Sequence, residues 1–243
     1  MKFTDCLFEE VKDIWESYLN HPFVREIGEG TLPKDKFKRY LIQDYLYLKE
    51  FAKVFAMGVI KADTVKEMKF FNKAAKGSME DETAIHVEYM KKLGVPPIEA
   101  EKCKYELVSS SYTSYMQAVS LTGGVKEIVM ATLPCNWSYN YIGHYLYETY
   151  KDNLDNNYYK EWIEMYADQE FDDVLIDWLE YTNELCKDLT EDETKKLKEI
   201  FVKSSLYELD FGIWHMKRRR KNVKRSNYNN KFSNVIYVCK RYK

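Results

Sequence analysis

The chain has 243 residues, 45% of them hydrophobic and 31% charged, with a formal net charge of −2, only 9 Gly and 5 Pro, and 21 Tyr. That length holds one large domain or two small ones around a sizeable core, and so few glycines and prolines favour helices over strand-and-turn architecture. Five cysteines scattered singly, with no CxxC pair, exclude a disulfide framework and a zinc site on spacing.

Acidic residues interrupt the N-terminal "MKFTDCLFEEVKDIW", unlike a signal peptide, and no apolar run approaches the ~20 residues of a membrane span. A reduced, cytoplasmic protein with no membrane partner is expected. In chain order, helix-period apolar patterns run over roughly 3–19, 34–61, 64–92, 106–121, 124–150, 156–166, 169–187 and 190–211. Breaks fall at "NHPFV", "GEGTLPKD", "LGVPP", "LTGG" and "DNLDNN", each with turn chemistry. Pro33 sits where a helix start tolerates it. Asp188–Thr190 reads as an N-cap ahead of the acidic first turn of "EDETKKLKEIF". The predicted fold is all-α, a single-domain bundle of about eight helices.

The charge is unevenly spread. Of the 37 basic side chains, 11 fall in residues 212–243, where no acid occurs, leaving 26 against 39 acids in residues 1–211. The tail "KRRRKNVKRSNYNNKF" has the composition of a nucleic-acid arm, but so acidic a body is a poor nucleic-acid binder.

Several predicted inward stripes carry residues foreign to a core. Phe37, Leu41, Asp44, Leu48, Phe51 and Phe55 include one carboxylate, with Tyr47 beside it on the same face. Phe201, Ser204, Glu208 and Phe211 again set a carboxylate between aromatics. Ile128, Thr132, Cys135, Tyr139, Ile142 and Leu146 put a thiol and a phenol on one face, and Tyr112 shares a face with Tyr115 and Met116. Taken singly, such an acid is more often paired or at an edge, and such a cysteine is a small core hydrophobe. Burying unpaired carboxylates costs several kcal/mol, so together they are expected to share a polar pocket. A carboxylate pair, a thiol and phenol rings suit a flat, basic heterocycle. Pro134, directly before Cys135, cannot donate to the carbonyl of Met130, so the helix is expected to kink or loosen there. The four histidines form no HxxxH or HExxH, and Glu82, His86 and Glu88 read as a solvated helix face. No metal site is expected, because a di-iron bundle needs Glu-x-x-His on two helices.

The pieces "HPFVREIGEGTLPKDKFKRYLIQDYLYLKEF", "YMKKLG", "SSSYTSYM", "TLPCNWSYNYIG", "YADQEF" and "SSLYELDF", in that order, resemble the TenA/thiaminase II family of the haem-oxygenase-like fold. The resemblance covers most of residues 1–211. It implies Cys135 as nucleophile, Glu208 as acid/base and Asp44 as the ligand of the aminopyrimidine's exocyclic amine and ring nitrogen. Tyr47, Tyr112, Tyr139, Tyr166 and Phe211 would line and stack on the ring. The implied reaction is hydrolysis of 4-amino-5-aminomethyl-2-methylpyrimidine to its 5-hydroxymethyl counterpart in thiamin salvage, with thiamin a slower substrate. It needs no metal or organic cofactor, and the resemblance implies a homotetramer. A non-catalytic pyrimidine-binding or regulatory bundle is the alternative, and binding alone needs neither Cys135 nor Glu208.

After "YELDF" the family pattern continues W-x-x-A, whereas this chain reads "GIWHMK". Back-translated with one added T after Phe211, the same letters give "FWDMAYE". The expectation is a helical domain over 1–211 and an out-of-frame, non-native tail over 212–243.

Overall fold

Amphipathic stripes of this length bury themselves only against one another, and the computed structural model, which describes residues 2–216, is built of helices throughout. They are α1 (Phe3–Leu19), α2 (Pro22–Gly28), α3 (Lys34–Lys61), α4 (Val65–Gly77), α5 (Thr83–Lys92), α6 (Pro97–Ala100), α7 (Leu107–Thr122), α8 (Val125–Tyr150), α9 (Lys160–Tyr166), α10 (Gln169–Leu185) and α11 (Glu191–Met216). No strand occurs among the described residues, and no helix there is long and apolar enough to cross a membrane. The all-α bundle expected from the sequence is present. Its tail reading lies, from residue 217 onward, outside the described residues.

The segments depart from the predicted ones in three places. The break at "NHPFV" opens a short helix: His21 caps α2, its Nδ1 accepting from the Phe23 N–H at 3.2 Å, and Pro22 takes the first position, where its missing N–H costs nothing. The single helix expected over 64–92 is two, joined by a π-helical turn at Ser78–Glu82. The segment expected at 156–166 begins as a 3₁₀ turn, Lys151–Asn156, before α9.

α8 is the central element. Every residue from Ile128 to Cys135 is buried, the pattern of a helix surrounded on all sides. It packs against α7, α9, α10 and α11, while α3 packs against α4, α5 and α7. Pro134 lies inside α8, and Thr132 turns its hydroxyl onto the Ile128 carbonyl at 2.9 Å. Gly143 gives α8 its close approach to α9, because a Cβ there would stand 2.6 Å from the Tyr166 carbonyl carbon. α11 closes the bundle against α1 and α8, with Trp15 Nε1 donating to Ser205 Oγ at 3.2 Å and Tyr18 donating to the Ser205 carbonyl at 2.5 Å.

Candidate active site

Five helices deliver the eight residues singled out from sequence to one place in the core. α3 supplies Asp44 and Tyr47, α7 Tyr112, α8 Cys135 and Tyr139, α9 Tyr166, and α11 Glu208 and Phe211. The rings form a box. Tyr47 lies 5.4 Å from Tyr112 and 6.1 Å from Phe211 between centroids, and Tyr139 lies 4.8 Å from Tyr166. Asp44 and Cys135 are buried, at 4% and 3% exposure. Glu208 keeps part of its stem exposed, while its Oε1 is buried.

Glu208 interacts with both the Tyr112 phenol and the Cys135 thiol. Yet neither Glu208 Oε1 nor Tyr112 Oη completes a well-formed hydrogen bond to protein. A buried polar atom left unpaired costs about 1–3 kcal/mol, so two of them beside a thiol form an arrangement awaiting a ligand.

Burial pushes the Glu208 carboxyl up to about 8, with Asp44 and Glu82 adding to the rise. Burial, then the neighbouring Glu208 and Glu82, raises the Cys135 thiol well above its ordinary value. The unliganded site therefore holds a carboxylic acid and a thiol at neutral pH, each able to release a proton once a ligand changes its surroundings.

Three further residues that the sequence reading did not place in the site lie beside it, and one expectation is corrected. His86 is fully buried, not on a solvated face. Its Nε2 meets Asp44 Oδ2 at 2.5 Å and its Nδ1 meets the Glu82 carbonyl oxygen at 2.8 Å. The Glu82 side chain turns inward too, accepting from the Tyr166 hydroxyl at 3.1 Å. Only Glu88 of that trio is exposed, as expected. The π turn sets this up: its wider ring frees the Ser78 carbonyl, which the Thr83 hydroxyl satisfies at 2.7 Å, and Glu82 and His86 then follow on the inward face. Burial, with Asp44 next, raises Glu82 to about 7. For His86, burial works to lower its pKa, but Asp44 and Glu82 together outweigh it and the net shift is upward. Tyr40 is the third addition, donating to Asp44 Oδ2 at 3.0 Å while accepting from Trp162 Nε1 at 3.3 Å.

Two openings reach this cluster. A cleft of about 500 Å³, lined by Phe171, Trp178 and Asn136 among others, ends on Glu82. A second, of about 40 Å³, is bordered by Tyr139, Glu208 and Phe211.

The sequence pattern of the TENA/THI-4/PQQC family matches residues 8–219. The chain belongs to this family. It is 39% identical over 217 residues to a protein of Halalkalibacterium halodurans named aminopyrimidine aminohydrolase, covering 89% of this chain and 95% of that one. A Helicobacter pylori protein of the same name is 38% identical, covering 89% and 98%. In fold, the chain matches a Shewanella denitrificans domain described as heme oxygenase-like with a TM-score of 0.71 at 18% identity, over 87% of this chain and 91% of that one. The haem-oxygenase-like architecture expected from the sequence is thus observed.

Proposed function

We propose that this protein is an aminopyrimidine aminohydrolase of thiamin salvage. It would convert 4-amino-5-aminomethyl-2-methylpyrimidine and water to the 5-hydroxymethyl pyrimidine and ammonia, and cleave thiamin more slowly. The observation that carries the reading is the meeting of Cys135, Glu208 and Tyr112 beside Asp44, with Glu208 Oε1 and Tyr112 Oη unpartnered inside an aromatic box. Relatives of the same name support it.

The proton inventory of the site suits this chemistry. Asp44 accepts from the exocyclic amine, while Tyr47, Tyr112, Tyr139, Tyr166 and Phe211 enclose the ring. Glu208, entering as the acid, protonates the ring nitrogen, and the Cys135 sulfur adds to the adjacent ring carbon as its own proton passes to the Glu208 carboxylate. Addition breaks aromaticity; the Glu208 carboxyl then passes its proton to the amine, and the ring's electron pair expels it from the 5-methylene as ammonia. Water adds to the exocyclic methylene and gives a proton back to the Glu208 carboxylate. Loss of the thiolate and of the ring N–H restores the aromatic ring and resets both groups.

A cytoplasmic homotetramer is part of the proposal, and the exposed apolar side chains of Ile60, Val65 and Leu121, near one end of α3 and α7, offer one surface for self-association. Sedimentation at micromolar protein tests that assembly.

Incubation with the aminomethyl pyrimidine and with thiamin, followed by mass analysis of the products, tests the function. The hydroxymethyl pyrimidine is expected from both, faster from the first. Cys135→Ser and Glu208→Gln are each expected to lower turnover by at least about 10³-fold while the protein stays folded. Undiminished turnover in either variant overturns the mechanism. Binding of the pyrimidine without turnover in the native chain favours the regulatory alternative.

A further inference from the structure

The hydrogen bonds around Asp44 fix the direction of every proton near it. The Glu82 carbonyl can only accept, so the proton facing it belongs to His86 Nδ1. A neutral imidazole would then offer a lone pair at Nε2, yet Nε2 stands 2.5 Å from Asp44 Oδ2, a separation two bare acceptors do not sustain. A proton therefore lies between them. The indole N–H of Trp162 can only donate, so the Tyr40 oxygen accepts it, and the nearer acceptor for the Tyr40 proton is the same Oδ2 at 3.0 Å, the Tyr139 hydroxyl standing farther off at 3.5 Å. Both of these bonds end on Oδ2, and Oδ1 makes neither of them.

We infer that His86 is a positioning and specificity-determining residue, holding Asp44 so that Oδ1 can only accept, and that the site thereby takes 4-aminopyrimidines and rejects their 4-oxo counterparts. This rests on the proposed function and deepens it by naming the group that sets the choice. The 4-amino group presents an N–H to Oδ1. A 4-oxo group presents lone pairs to lone pairs in a site sealed from water, where such a mismatch is not screened. Remove the His86 donor and Oδ2 keeps only the Tyr40 hydroxyl, so the Asp44 carboxyl is no longer pinned and can turn. The fixed presentation of Oδ1 is lost, and the discrimination fades. The π turn belongs to this device, since the inward Glu82 carbonyl selects which His86 nitrogen faces Asp44.

The test measures binding, so it does not depend on turnover. In a Cys135→Ser background, the Kd of 4-amino-5-hydroxymethyl-2-methylpyrimidine is compared with that of its 4-oxo analogue by calorimetry. The native His86 form is expected to favour the amine by about 100-fold or more. In His86→Leu the ratio is expected to fall at least tenfold, with the 4-oxo ligand losing less affinity than the amine. In His86→Gln, which keeps an N–H for Oδ2, an intermediate ratio is expected, and this variant carries the test if the leucine form does not fold. Parallel loss of both ligands with the ratio unchanged overturns the inference and leaves His86 a packing residue. Failure of the His86 form to bind either pyrimidine instead overturns the functional reading beneath it.

Discussion

At the scale of single residues, the site combines two acids in opposite situations. Asp44 has two donors converging on Oδ2, whereas Glu208 has burial against it and an unpartnered oxygen. The difference has a pH signature. The Glu208 carboxyl titrates near 8 and Glu82 near 7, both above their ordinary 4.5, so the folded chain holds protons that the unfolded chain has already released. Stability then falls as pH rises. Their contribution is complete below about 4.5, erodes through the interval between, and is gone past about 8. Glu208→Gln abolishes the Glu208 part of that loss. Its Tm is expected to exceed that of the native chain at pH 9 and to match it more nearly at pH 5, a gap that differential scanning fluorimetry reads directly. Equal gaps at the two pH values would contradict a buried, protonated Glu208. Catalysis by the proposed route runs the same way, because kcat/KM of the native chain should decline above about pH 8 as the acid is lost. Asp44, Cys135 and Glu208 were legible in the sequence because each breaks an otherwise apolar helical stripe. His86 was not: it follows "MEDE", a run that reads as solvated, and its partner lies 42 residues away on another helix.

Among elements, the π turn and α8 do most to place the chemistry. A sequence read at 3.6 residues per turn continues α4 straight into α5, and nothing in the composition of "SMEDE" announces the wider turn. The helical span of α8 was legible from its stripe Ile128, Thr132, Cys135, Tyr139, Ile142 and Leu146, whereas its burial on all sides from Ile128 to Cys135 was not. The close approach of α8 to α9 depends on Gly143, since both the Tyr166 backbone and its Cβ stand within 2.7 Å of where a side chain would begin. Backbone cannot step aside as a flexible side chain can. Gly143→Ala should therefore push α9 outward, at a cost of about 1–3 kcal/mol typical of overpacking. Tyr166 would move with it, loosening its contacts to Tyr139 and to Glu82. The expected outcome is a lowered urea midpoint with unchanged slope, together with a KM raised more than kcat is lowered. A variant as stable and as active as the parent would show that α9 has slack the packing does not suggest.

At the scale of the whole molecule, the candidate site is cut from the core itself. α3, α7, α8, α9 and α11 each lend it side chains, and the same five helices carry most of the buried apolar residues. Glu208 Oε1 and Tyr112 Oη are unsatisfied in this state, and the opening beside Glu208 is small and bordered by the Tyr139 and Phe211 rings, so a pyrimidine bound as proposed is expected to part those rings on entry. Binding then satisfies the orphaned atoms and ties five helices together at once. A ligand that binds only the folded chain stabilises it by RT ln(1 + [L]/Kd), about 2.7 kcal/mol at a hundredfold excess over Kd. For a chain of this size that corresponds to roughly 5–10 °C in Tm. The hydroxymethyl pyrimidine should produce this shift in the native chain and in Cys135→Ser alike, because the role proposed for the thiol lies in chemistry and not in enclosure. Asp44→Asn should abolish most of it, since the amide can donate as well as accept and breaks the proton order set by His86 and Tyr40. A full shift in Asp44→Asn would place the ligand elsewhere in the molecule, and the 500 Å³ cleft that ends on Glu82 is where crystals soaked with the pyrimidine would then be expected to show it.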